Sequence, residues 1–210
     1  MQIEQKRCFK YGGAAFVLSG VMFLCRGILE FIAGVPPSSG VEILAWAESE
    51  KLFLSFVSEV LFFGAVALIP AVFALYHSLT GADKIKSVIG CGIIAVVIPT
   101  LIMLLIVHGR LVYPVYDIHV NSPDVAANIV AIYYGGMHAV ALLMAGATLI
   151  LSISMRGVYG KSIVYLGFVT SMFDIVGAYP YLIGPALSLV CQILFSAWFV
   201  AVGVKLRTLP

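Results

Sequence analysis

The sequence predicts an all-α, polytopic membrane protein: a single bundle of six transmembrane helices with both termini on the cytoplasmic side and a short outer amphipathic helix. Three observations carry that expectation. The 210 residues are 62% hydrophobic and only 10% charged, against about 45–50% and about 25% in soluble domains, and mean hydropathy is +1.10. Six segments are long and apolar enough for the ~20 residues a helix needs to cross ~30 Å of hydrocarbon. Nine of the 12 Lys and Arg residues fall in the tails and loops of one side, the bias that marks the cytoplasmic face. Together they exclude a soluble globular domain and a disordered chain, and the formal net charge of +2 excludes a nucleic-acid binder.

The spans are expected at 11–34, 52–78, 87–108, 125–154, 162–180 and 184–204, in one domain covering residues 1–210. Lys6, Arg7 and Lys10 precede the first, which reads as a retained helix because no A-x-A cleavage site follows it. Two prolines at 36–37 end it, and Ser39 with Glu42 has the S-x-x-E spacing of a capping box for the outer helix. Trp46, Tyr113 and Tyr116 are expected at headgroup level, as are Tyr133, Tyr134, Tyr179 and Tyr181, unless these four line a pocket. Lys84 and Lys86 follow span two, Arg156 and Lys161 span four, and Lys205 and Arg207 close the chain. Only Lys51 and Arg110 lie on the opposite side, with Arg26 inside span one. Pro70 and Pro99 predict kinks in spans two and three, YPYLIGP a tight outer turn between spans five and six. The glycines at 12–13, 64, 90, 92 and 135–136 read as points of close helix approach. No internal repeat is evident. Cys8, Cys25, Cys91 and Cys191 stand singly, without a CxxC pair, and read as packing residues.

Ionisable groups inside a bilayer are costly, so each is a functional hypothesis. On the predicted topology Arg26, Glu30, Glu59, His108, Arg110, His138 and Asp174 all fall at mid-depth or in the outer half of the spans, while the inner half holds only His77. In one reading they are structural partners, Arg26 with Glu30 at i, i+4 and Glu59 and Asp174 with Arg110, His138 or hydroxyls. In the other they line a polar pocket open to the outer face. His108, Asp117, His119 and His138 form a further candidate set as metal ligands, imidazole and carboxylate suiting zinc, iron or copper, though no HExxH or comparable spacing is present. Bis-histidine haem is not expected, since His77 and His108 end on opposite sides. No G-x-S-x-G elbow, phosphate loop or dinucleotide fingerprint appears, nor a span lysine for a retinal Schiff base.

Two stretches carry a family likeness. The run GVEILAWAESEKLFLSFVSEVLFFGAVALIPAVFALYHSL, after a first span ending GILEFIAG, and the closing YLGFVTSMFDIVGAYPYLIGPALSLVCQILFSAWFVAVGVKL resemble a bacterial and archaeal group of six-span membrane proteins, the domain-of-unknown-function family number four-three-eight-six. The resemblance covers nearly the whole chain and implies a prokaryotic, six-helix protein of the plasma membrane. It brings no catalytic residues. The functions left open are a non-enzymatic accessory, assembly or lipid-interacting subunit; a small transporter or channel using the outer-half pocket; and a metal-dependent enzyme acting on lipid at the outer leaflet. The expected partners are membrane lipids, with a membrane-protein partner or a second copy of the chain, and no cofactor beyond a bound lipid or a metal.

Overall fold

In the computed structural model, which describes residues 2–209, the chain is all-α: α1 Gln2–Ala33, α2 Gly40–Ser49, α3 Lys51–Leu79, α4 Lys84–Gly109, α5 Pro123–Ser154, α6 Lys161–Gly177 and α7 Pro180–Leu206. Among the described residues the sole extended pairing is the bridge between Val115 and Ile118. Five helices are long and apolar enough to cross a membrane, while α6 is shorter at 17 residues.

Local chemistry sets the ends. Gly34 at φ +79° stops α1, and Pro36 and Pro37 prevent it resuming. Ser39 Oγ accepts from the Glu42 amide at 3.3 Å and donates to the Glu42 carboxylate at 2.8 Å, so Ser39 caps α2 as expected, but the Glu42 carboxylate meets its hydroxyl rather than its backbone amide and only half of the capping box forms. Asp83 caps α4 in the same way, accepting from the Lys86 amide at 3.1 Å while its other oxygen meets the Lys86 ammonium. Pro123 and Pro180 open α5 and α7 at positions whose amides need no helical partner. Two boundaries differ from the sequence reading. The basic N-terminal residues belong to α1 itself, and α7 starts four residues early as a short turn that breaks at Gly184 (φ +73°) before Pro185 restarts it.

The six long helices form a closed ring. Each packs on its neighbour in the chain, α1–α3–α4–α5–α6–α7, and α7 closes on α1. α2 lies across one end, against α3 and α5. That end, with the 110–122 loop and the α6–α7 turn, is the loop face; the chain termini lie at the terminal face. The closing seam is tight because Gly13 and Gly203 face each other, and a Cβ on Gly203 would sit 2.6 Å from the Gly13 carbonyl oxygen and 2.8 Å from Phe16 Cβ. Phe16 and Phe23 then interleave with Phe195 and Phe199 at centroid distances of 5.4–5.6 Å. Not every glycine serves this end: beside Gly92 and Gly135 there is open space, contrary to expectation.

The outer surface is lined by large apolar side chains such as Phe56, Phe63, Ile69 and Phe73 on α3 and Val96, Met103 and Ile106 on α4, whereas Arg26, His108 and Asp174 are buried. An outer surface this apolar around an apolar core, with the few charged side chains kept inside, is the pattern of an integral membrane protein rather than of a water-soluble bundle.

Candidate functional site: a central cavity under a polar lid

Side chains from four helices meet toward the loop face. Arg26 Nη2 donates to Glu30 Oε1 at 2.7 Å, the i, i+4 pair expected from spacing. Tyr133 OH donates to that same oxygen at 2.8 Å. The Tyr133 ring lies against the imidazole of His108, centroids 4.3 Å apart, and His108 Nδ1 is hydrogen-bonded with Ser58 Oγ at 2.9 Å. Thus α1, α3, α4 and α5 are tied by one chain of contacts in which the only full charges, Arg26 and Glu30, cancel. Pairing is what makes them tolerable inside the fold.

On the terminal side of this lid lies a cavity of about 100 Å³ to which all six ring helices contribute. Its body is apolar, built from Phe23, Leu61, Leu68, Val97, Val140 and Met144. Its other walls carry Arg26, Asp174, Ser188 and Gln192. Asp174 is 6% exposed, yet its Oδ2 has no hydrogen-bond partner among the described residues, and neither do Arg26 Nε and Gln192 Nε2. Buried polar atoms are nearly always partnered, and each exception needs a cause. Of the seven such atoms among the described residues, three belong to residues that line this one cavity, and the other four, on Thr148, Ser152, Ser196 and Trp198, lie away from it. An apolar pocket with a few converging polar groups is the usual form of a small-molecule site.

The predicted site residues divide. Arg26, Glu30, His108 and Asp174 are brought to the cavity or its lid. Glu59 is not: it is exposed on α3 and accepts from Tyr113 OH at 3.1 Å. Arg110 serves the outer loop, donating to the carbonyls of Tyr113 and Ile118 at 3.1 and 3.0 Å. It borders a separate loop-face pocket of about 240 Å³ with Glu48, Lys51 and His119. His138 donates from Nδ1 to the Ala178 carbonyl at 2.7 Å and bridges α5 to the α6–α7 turn.

The four residues weighed as metal ligands are not gathered. His108 is held by Ser58, His138 by a carbonyl, and Asp117 pairs with His119 at 3.2 Å in the exposed loop. Among the described residues no group of three His, Cys, Asp or Glu side chains is arranged to hold a metal ion. The physical reason is where each is held: His108 turns to Ser58 of α3, His138 to the α6–α7 turn, and the 110–122 loop folds back on its own carbonyls.

Several contributors were not singled out from sequence. Tyr133, expected as an interface anchor or pocket residue, is fully buried in the lid. Ser58 and Gln192 carry no charge and were passed over, although a lone amide in an apolar span is itself a signal. Trp46 reaches back to cap α1, donating from Nε1 to the Ala33 carbonyl at 2.8 Å. Comparison of the chain with family models, curated proteins and solved structures gave no match.

Proposed function

We propose that this chain is a six-span protein of the plasma membrane that acts without catalysis, as a lipid-interacting or accessory subunit holding a small amphiphilic molecule in its central cavity. The observation that carries the reading is the cavity itself: a site built by every ring helix, apolar through its body, with the polar residues Arg26, Asp174, Ser188 and Gln192 in its lining. The lid suits such a role, since a charge-neutral cluster tied together by the Arg26–Glu30, Tyr133–Glu30 and Ser58–His108 hydrogen bonds closes the loop-face side.

The membrane topology is supported on two grounds. α6 spans about 26 Å at 1.5 Å per residue, and 17 residues is the short end of the range that crosses ~30 Å with adjustment of the bilayer. Its place in the ring between α5 and α7 aligns it with helices that do have the length. Nine Lys and Arg gather at the terminal face, the bias that favours a cytoplasmic side.

The test is native mass spectrometry of gently solubilised protein. We expect a small amphiphile at near one per chain. Ala141→Leu, which adds volume to a cavity wall, lowers its occupancy while the variant still purifies as a folded species. Wild-type protein released empty, with no difference from Ala141→Leu, overturns the reading.

A further inference from the structure

We propose that the pocket at the loop face binds a phosphodiester group, held by Lys51 and Arg110. This site is separate from the central cavity, and the inference does not rest on what that cavity holds.

The pocket lies between the second half of α2 and the 110–121 loop, with the first residue of α3 in its wall. Its base is packed: Ala47 and Val112 line it and belong to a small buried cluster with Ala33 and Leu54. The loop beside it is pinned, since Arg110 donates to the Tyr113 and Ile118 carbonyls and Tyr113 OH donates to Glu59. At about 240 Å³ it exceeds the about 150 Å³ of an engineered cavity that holds benzene. A tetrahedral phosphate with a few atoms beyond it fits.

Charge points to an anion. Lys51 and Arg110 are the only Lys and Arg residues at the loop face outside the lid, and both line this one pocket. They come from adjacent helix ends, Lys51 opening α3 and Arg110 following α4. The lining holds a single carboxylate, Glu48, which lies 3.6 Å from Lys51 Nζ and is 79% exposed. Two cations against one carboxylate leave one positive charge.

Helix chemistry accounts for only part of this. A cation suits the C-terminus of α4, and Arg110 also staples the loop, but those hydrogen bonds engage two of its N–H groups and leave others for a ligand. Lys51 has no such explanation. It stands at the first position of α3, the end of a helix whose dipole repels a cation.

The class of anion follows from charge and depth. A phosphodiester carries one negative charge and balances the pocket. A phosphomonoester carries about −1.5 to −2 near neutral pH, an excess beside Glu48 on a face that also bears Glu42, Glu50, Asp117 and Asp124. Phosphate geometry suits an arginine fork, with the lysine as a point charge beside it. In a chain that spans a bilayer the loop face lies at headgroup level, where the phosphodiester is the anion every phospholipid presents. The same group reaches the pocket on a soluble ester.

The test uses the full chain in a maltoside detergent. Glycerophosphoglycerol is the soluble diester and glycerate its carboxylate control, both followed by calorimetry. Dioctanoyl phosphatidylglycerol is the lipid diester and dioctanoylglycerol its phosphate-free control, both followed by native mass spectrometry. A diester should bind and its control should not. Lys51→Gln should weaken binding about tenfold, the worth of one hydrogen bond to a charged group. Glu48→Gln should tighten it about two- to fivefold, the scale of an exposed charge pair, and a gain of binding cannot come from a misfolded variant.

Binding of the lipid diester alone assigns the group to a membrane lipid; binding of both diesters assigns it to the phosphodiester itself. Failure of both overturns the proposal, as does glycerate binding as tightly as glycerophosphoglycerol. So does binding that neither Lys51→Gln nor Glu48→Gln alters, or that Glu48→Gln weakens. Loss of diester binding in Ala141→Leu would move the site to the central cavity and overturn its assignment here.

Discussion

Tyr133, in the lid, and Asp174, in the cavity wall, are both buried and both hydroxyl- or carboxyl-bearing, but they stand in opposite states. Tyr133 spends its hydroxyl proton on a carboxylate at 2.8 Å; Asp174 leaves an oxygen unmatched. Removing a partner from a charged acceptor is expensive, about 1.5–3 kcal/mol for hydrogen bonds to charged groups, whereas removing an unmatched group is not. We therefore expect Tyr133→Phe to destabilise the detergent-solubilised, ligand-free protein by about 2 kcal/mol, and Asp174→Asn to leave it unchanged or stabilise it. Chemical unfolding monitored by intrinsic fluorescence measures both, and a larger loss from Asp174→Asn than from Tyr133→Phe would reverse our assignment of which group is paired. At this scale the sequence was legible where the partner lies on the same helix. Arg26 and Glu30 could be paired by spacing alone, while Glu59 and His138 could not be assigned, because the direction each faces depends on helix rotation. In uniformly apolar spans nothing in the residue pattern sets that rotation, so a charge is visible and its surroundings are not.

Helix ends were far more readable than helix faces, because caps are local. The Ser39–Glu42 pair and the proline stops at 36–37 identify α2 before any tertiary contact is known, and Pro123 opens α5 close to where hydropathy begins its span. The break at Gly184 was harder, since the four residues before it continue a helix that hydropathy assigns to a turn. Asp83 shows how such a cap behaves on titration. Its carboxylate accepts from the Lys86 side chain and amide, and these hydrogen bonds hold its pKa below the usual carboxylate range. A depressed folded-state pKa adds stability that is present above the unfolded value of ~3.9 and is lost as pH falls through the lower folded value. Asparagine caps a helix about as well as aspartate, so Asp83→Asn isolates the charge. The difference in melting temperature between wild type and Asp83→Asn should be small and constant from neutral pH down to about pH 5, then shrink toward zero in stronger acid. A difference that grows on acidification would contradict the cap geometry.

The whole molecule depends on a seam that no single span foretells. Hydropathy counts helices without ordering them around an axis, and the ring arises only because α7 returns to α1. The glycines at 12–13 suggest close approach for α1, and Gly12 meets Ala74 of α3 while Gly13 meets Gly203 of α7, a partner that nothing in its uncharged span marks out. Here the backbones come so near that any side chain on Gly203 meets the Gly13 carbonyl and Phe16, and neither can yield without moving a helix. Overpacking of this kind costs about 1–3 kcal/mol or more, and the cost falls on one seam. Further along the same seam, toward the loop face, α1 and α7 line the cavity with Phe23 and Arg26 and with Cys191, Gln192 and Phe195. Cys191, buried in the cavity wall on α7, and Cys91, buried on α4 across the ring, report the two sides separately once Cys8 and Cys25 are replaced by serine. In that background Gly203→Val should make Cys191 react with a maleimide several-fold faster while Cys91 stays protected, because the α1–α7 seam opens and the α3–α4–α5 side remains packed. Equal acceleration at both thiols would mean that the bundle loosens as a unit, and that the closing seam is not what separates the cavity from its surroundings.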